Sequence, residues 1–226
     1  MTEVAVIVAH PDDEVLAFGA TMRLHANAGD RVRVLILATG LAAREQGVAN
    51  PAALEALRAA ARRANAELGC SDVEFGDFAD NRMDGVPLLD VVKRVETFVG
   101  RHGSAFVYTH HGGDLNVDHR ATAAAVLTAC RFLPGTPVAR VWAGEVLSSS
   151  EYSDPADRFV PNAYIDVETA LEAKCRALGH YVDEMREFPH PRSVDAIRHL
   201  AALRGSEAGY RAAEAFRIVR ERHARV

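Results

Sequence analysis

The stretch VAVIVAHPDDE, residues 4–14, joins an unbroken apolar run to a histidine, a proline and three acids. Small and β-branched residues, with nothing that needs water before His10, suit a strand buried on both faces of a parallel sheet. The carboxyl ends of such strands open onto the ligand crevice of an open α/β sheet. His10, Asp12 and Asp13 therefore stand where chemistry is usually done. Pro11 fixes its own φ and pushes His10 out of the helical region, which holds these side chains in a restricted geometry.

Working outward, a helix over 16–28 carries Leu16, Ala20, Leu24 and Ala28 at helical spacing, with Asp13 as its N-cap and Glu14 in its first turn. Residues 32–38 read as a second buried strand. An alanine-rich helix over 51–68 stops at Gly69, and 73–78 is a short third strand. A helix over 88–99 has one apolar face, and a fourth strand, 105–109, runs into HHGGDLNVDH, a second burst of polarity ahead of a helix over 120–132. Strand and helix alternate at βα spacing, which predicts an α/β, Rossmann-like three-layer fold with a mostly parallel sheet. Beyond Pro134 the pattern loosens. Residues 138–147 and 164–167 read as strands and 168–185 and 193–203 as helices, with Pro189, Pro191 and Gly205 as breaks. No Gly/Ser-rich linker and no internal repeat divides the chain. The expectation is one domain over 1–226, with a core at 1–133 and a C-terminal α/β cap at 134–226.

The 226 residues suffice for a substantial core, and 49% apolar with 25% charged residues is the balance of an ordinary soluble globular protein rather than a disordered one. A net charge of −5 with no basic stripe argues against nucleic acid as a partner. Cys70, Cys130 and Cys175 are odd in number and far apart, matching neither a disulfide framework nor a CxxC metal knuckle. No apolar run approaches the roughly 18 residues a membrane span needs, and no secretion signal is recognisable, so the expected setting is cytoplasmic. A homo-oligomer stays open.

His10, Asp13 and His119 form the candidate metal set. The first two are three residues apart across a strand-to-helix turn, and His119 arrives from the end of another strand. Two imidazoles and one carboxylate leave a tetrahedral Zn²⁺, one per chain, with an open position for water. The bland reading of His-Pro-Asp is a helix cap beside an ordinary histidine. Asp12 is placed to take a proton from water attacking a carbonyl; otherwise it is a turn aspartate.

AHPDDE at 9–14, taken with GDLNVDH at 113–119, resembles the LmbE-like, or PIG-L, family of zinc-dependent N-deacetylases. The similarity continues through FADNRMD at 78–84 and through FPHPRS (188–193) and AEAF (213–216), so it covers most of the chain. The resemblance implies that His10, Asp13 and His119 hold zinc, that Asp12 is the general base, and that the reaction removes an acyl group, usually acetyl, from the nitrogen of an amino sugar. The expected partner is thus a small amino-sugar substrate such as an N-acetylglucosamine conjugate. In relatives the position three before the last zinc histidine is itself a histidine that stabilises the oxyanion. Here it is Asn116, whose amide donates a hydrogen bond but carries no proton. Either Asn116 serves with less electrostatic power or another histidine takes the role. His190, held between two prolines, is the candidate, with Arg192 as an anion or sugar ligand; the alternative for His190 is an ordinary loop histidine. Asp118 either orients a histidine or caps the next helix. Asp80 matches a position that contacts sugar hydroxyls in related deacetylases, or is a turn aspartate. Arg44 is a further substrate candidate. Of His110 and His111, at most one faces the site.

Three other readings compete. An amidase acting on a thiol or sugar conjugate would use the same constellation. A non-catalytic, metal-binding flavodoxin-like signalling domain would pair the aspartates around Mg²⁺ but wants a phosphorylatable aspartate, for which Asp77 is available, and a lysine at a strand end. Neither Lys93 nor Lys174 falls there. A dinucleotide binder is disfavoured, since no G-x-G-x-x-G follows the first strand and carboxylates would face the pyrophosphate.

Overall fold

Residues Glu3–Val8 form β1, buried from Val4 onward because neither of its faces meets water. Val4, Val6 and Val8 point into one core and Ala5 and Ile7 into another, as the two-residue period of a strand requires. Further strands are β2 (Arg31–Ala38), β3 (Asp72–Phe78), β4 (Phe106–His110), β5 (Arg140–Gly144), β6 (Ala163–Asp166) and β7 (Ala213–Glu221). Helices are α1 (Asp13–Asn27), α2 (Pro51–Glu67), α3 (Leu88–His102), α4 (Val117–Ala129), α5 (Leu171–Leu178) and α6 (Val194–Ala208). The computed structural model describes residues 1–40 and 51–223.

The strands make one sheet in the order β3-β2-β1-β4-β5-β7-β6. From β3 to β5 every pairing is parallel; β7 runs antiparallel to both of its neighbours. One face packs on α1, α2 and α5 through Phe18, Met22, Ala61 and Ala177, and the other on α3 and α4 through Val95, Phe98 and Val126. This is the expected three-layer α/β arrangement. The chain leaves β1 towards β2 and β3 and then returns to place β4 on the other side of β1. A crevice therefore opens between the carboxyl ends of β1 and β4, the topological switch point of such sheets.

The differences from expectation lie mostly beyond residue 134. β7 was not anticipated as a strand, yet it joins β5 to β6. The helix expected over 168–185 is only α5, Leu171–Leu178; Gly179 caps it and the chain then turns. The 138–147 strand is shorter, Arg140–Gly144. At the start of α1 the cap position belongs to Asp12, in the left-handed region at φ 101° and with no side-chain capping bond, while Asp13 is the first helical residue.

β7 is tied to α1 by charge. The Glu214 carboxylate accepts the backbone N–H groups of Ala20 (3.1 Å) and Thr21 (2.8 Å), and Lys174 of α5 donates to it at 2.6 Å, with both side chains buried. A buried pair is weak evidence of net stabilisation, but breaking it leaves an uncompensated charge. Lys174→Ala is expected to lower unfolding free energy by about 3 kcal/mol in urea titrations, and the paired substitution Lys174→Met with Glu214→Leu to recover most of the loss. A Lys174→Ala protein as stable as the parent would refute this account.

Candidate active site

His10 follows β1 after a single residue, Ala9. Pro11 and the left-handed Asp12 then turn the chain so sharply that the first residue of α1, Asp13, faces back across the strand end. Gly40, at the end of β2, makes room: at φ +78° it adopts a conformation that suits glycine, and a Cβ there would lie 2.8 Å from Pro11 Cδ.

Asp13 Oδ2 is the focus of the cluster. It accepts the His10 N–H at 2.8 Å and lies 3.3 Å from His10 Nδ1, 3.2 Å from His119 Nε2 and 3.5 Å from His110 Nε2. His119 comes from the first turn of α4, whose cap is Asn116, not Asp118: Asn116 Oδ1 accepts the N–H of Asp118 (2.8 Å) and of His119 (3.4 Å). The structure thus draws His10, Asp13 and His119 together, all buried, with potential ligand atoms within 4.8 Å of one another. A second group shares His10, whose Nε2 is 3.1 Å from Asp80 Oδ1 and 3.0 Å from Asp118 Oδ2. Asp118 also accepts the backbone N–H groups of Asn81 (2.7 Å) and Met83 (2.9 Å), which locks it against the loop after β3.

The electrostatics separate neighbouring acids. Burial opposes charge on Asp13, but His119 and His10 beside it hold its carboxyl well below the usual range. Burial likewise opposes charge on His119, and Asp13 and Asp114 overcome it, raising the imidazole to about 9. His110 falls to about 3 through burial and the nearby His119 charge. Burial pushes the Asp12 carboxyl well above its usual range, against the pull of the Arg192 guanidinium; Asp13, Glu184 and Glu14 push the same way. Glu14 rises to about 7, mainly by burial.

Buried imidazoles and carboxylates converging on one point are a donor set that suits Zn²⁺, and Asp13 Oδ1, buried without a hydrogen-bond partner among the described residues, leaves a lone pair for a cation. Beside this group a cavity of about 120 Å³ is lined by His10, Asp12, Asp80, Asn116, Glu184 and Arg192. Arg192 faces Asp12 rather than open solvent: its Nη1 donates to Asp12 Oδ2 at 2.7 Å and to Glu184 Oε2 at 3.2 Å, and its Nε to Ser148 Oγ at 2.8 Å. Asn116 Nδ2 donates to Asn81 Oδ1 at 3.1 Å, which leaves its second amide hydrogen unassigned. His190 is exposed and absent from this lining; its Nδ1 accepts the Arg192 N–H at 3.0 Å. His110 stacks on His119 with ring centroids 3.9 Å apart, whereas His111 turns to the Asp157 carbonyl. Arg44 lies outside the described residues.

Sequence reasoning missed the ring around Asp12. Glu14 Oε2 accepts the Asp12 N–H at 3.0 Å, while Glu14 Oε1 accepts Asn65 Nδ2 of α2 at 2.9 Å and the Tyr181 hydroxyl. A lone asparagine on the inner face of an alanine-rich helix was the available signal. For the signalling alternative nothing speaks: Asp77 is exposed, and Lys174 and Lys93 are engaged with Glu214 and Glu96.

Comparison with known proteins bears on this geometry. The chain is 29% identical over 133 residues to the uncharacterized deacetylase YaiS of Escherichia coli strain K12, a match covering 57% of this chain and 68% of that one. Its fold is similar to that of the N,N'-diacetylchitobiose deacetylase from Pyrococcus horikoshii, at TM-score 0.78 and 18% identity over 96% of this chain and 83% of the other. It is similar also to GalB, the 4-carboxy-2-hydroxymuconate hydratase from Pseudomonas putida KT2440, at TM-score 0.77 and 23% identity over 100% and 99% of the two chains. The architecture therefore hosts more than one reaction, and likeness of fold does not choose between them. The choice comes from the sequence: the model of the PIG-L family, described as GlcNAc-PI de-N-acetylase, matches residues 5–130, more than half of the chain, and the protein belongs to that family.

Proposed function

We propose that this protein is a zinc-dependent hydrolase that removes an N-acetyl or short N-acyl group from an amino sugar such as an N-acetylglucosamine conjugate. Membership of a de-N-acetylase family supports the reaction class, and the observation that carries the reading is the convergence of His10, Asp13 and His119 beside a cavity edged by Asp12. His10, Asp13 and His119 would hold the zinc, which supplies Lewis acidity to water and to the amide carbonyl when bound.

The chain's own residues do the rest. Asp12 Oδ2 is held by Arg192, whereas Asp12 Oδ1 has no hydrogen-bond partner among the described residues, so Oδ1 is the atom that accepts the proton of the attacking water and returns it to the departing amine. A raised pKa suits that exchange, since an acid that titrates nearer neutrality both takes and gives a proton. Asn116 lines the cavity with an amide hydrogen to offer a developing oxyanion. His190, exposed at the end of the preceding turn, would reach the substrate only by moving. Asp80, at the cavity wall, is placed to bind a sugar hydroxyl. Arg192 acts on substrate through Asp12 rather than as a direct anion ligand. Glu14, Asn65 and Tyr181 hold Asp12 in its left-handed conformation.

The reading is tested by incubating zinc-loaded protein with a panel of N-acetylglucosamine conjugates and scoring released acetate together with free amine. Asp12→Asn is expected to lower kcat by roughly 10²–10⁴-fold while zinc content per chain, measured by elemental analysis, stays at the parent value. Acetate release that survives this substitution would remove Asp12 as the base. Arg192→Ala removes the cation that draws the Asp12 pKa downward, so the acid limb of the kcat/KM profile is expected to move to higher pH; an unmoved limb would show that the pair does not set the base. Tyr181→Phe deletes the hydroxyl that donates to Glu14 and is expected to cost about tenfold in kcat, with KM little changed, the magnitude of one hydrogen bond to a charged group. A change confined to KM would contradict a role in holding the base.

A further inference from the structure

A second cavity, of about 390 Å³, shares no lining residue with the one at Asp12. Its floor follows from strand register. Thr109 of β4 pairs with Ala143 of β5, and Ala143 with Arg217 of β7, so these three side chains form one row across the sheet on the face covered by α4. Nearer the start of β4 and β5 the same face is filled by Val107, Val141 and, from the far end of antiparallel β7, Val219, which pack into the core with α3 and α4. In the Thr109 row the middle residue is only an alanine. A hollow therefore opens beneath Arg217, walled by Ala123 and Leu127 of α4 and by the chain at Asp157 and Arg158.

The polar groups there favour an anion. Arg158 and Arg217 make no ion pair or side-chain hydrogen bond among the described residues, against one carboxylate in the wall, that of Asp157. Thr109 is 1% exposed and its hydroxyl has no hydrogen-bond partner among the described residues. His110, also 1% exposed, lines the cavity as well. Its Nε2 accepts the Ala9 N–H at 2.8 Å, which leaves the ring hydrogen on Nδ1, and that atom too has no partner among the described residues. Buried donors of this kind cost about 1–3 kcal/mol each when nothing meets them. The volume lies within the range of small-molecule pockets, roughly 300–1,000 Å³.

We propose that this cavity is a second ligand site, for a small molecule bearing a carboxylate or phosphate group, with Arg217 and Arg158 as charge partners and the Thr109 hydroxyl as a buried donor. Guanidinium forks match the paired oxygens of either group. Arg217, Arg158 and Thr109 are assigned no part in deacetylation, and His110, stacked on His119, is where the second site adjoins the first.

Titration of sodium acetate and, separately, inorganic phosphate into the full ¹⁵N-labelled chain tests it, with amide shifts followed in both metal-loaded and metal-stripped protein. Saturable shifts centred on Thr109, Ala143 and Arg217 with at least one of the ions, surviving metal removal, are the expected result, and the tighter of the two identifies the group recognised. Arg217→Ala, which removes a charge, and Ala143→Val, which fills the hollow, are each expected to weaken binding at least about tenfold, the worth of one charge-assisted contact. Unchanged melting temperatures would show that the variants are folded. Absence of saturable shifts with both ions would overturn the proposal. So would shifts that vanish on metal removal and persist in Arg217→Ala, because the ions would then be binding at the metal centre alone.

Discussion

The site depends on one oxygen atom. Asp13 Oδ2 receives the His10 N–H and stands within 3.5 Å of three imidazoles, from the end of β1, the end of β4 and the first turn of α4. That meeting point exists only because Pro11 and Asp12 reverse the chain within two residues, and Asp12 does so at φ 101°, a conformation costing a non-glycine residue about 1–3 kcal/mol. The turn is held from outside: Glu14 takes the Asp12 N–H, and Asn65 of α2 and Tyr181 beyond α5 hold Glu14. Strain at a functional turn is thereby offset by hydrogen bonds anchored in rigid elements.

The signals legible in the sequence are those that act locally. An apolar run with no polar period marks β1 as buried on both faces, and polar bursts at 10–14 and 110–119 mark strand ends facing a crevice. The structure joins these bursts because the sheet order places β4 against β1, and it brings in Asp80 from the loop after β3. What links the carboxyl ends of adjacent parallel strands is a property of the architecture, so an α/β reading of the chain already brings His10, Asp13 and His119 towards one another.

What could not be read depends on partners far away in the chain. AEAFRIVRE mixes buried and half-buried positions with four charged residues, and it becomes a strand only because β5 and β6 present edges to it and Lys174 neutralises Glu214. Arg192 lies 180 residues from Asp12, and nothing in PHPRS says that its guanidinium faces an acid rather than a sugar. The 168–185 stretch reads as a single helix, but Tyr181 and Glu184 lie beyond the end of α5 at Leu178. They are buried against the site, in turns that follow Gly179.

Three consecutive acids in one motif meet three environments, and that is how a single stretch supplies different chemistry. Asp13 sits among imidazoles that hold its carboxyl well below the usual range. Asp12, one residue earlier, lines the cavity with Arg192 opposing its burial, and its carboxyl is pushed well above the usual range. Glu14, one residue later, is buried among Asn65, Tyr181 and the Asp12 N–H, and burial pushes its carboxyl up to about 7. It lies outside the lining of the cavity at Asp12, and its carboxyl serves as an anchor. Exchanging any two of these environments would leave the sequence motif intact and the division of labour lost. The motif therefore specifies function only together with the helix start, the inner face of α2 and the turn beyond α5 that surround it.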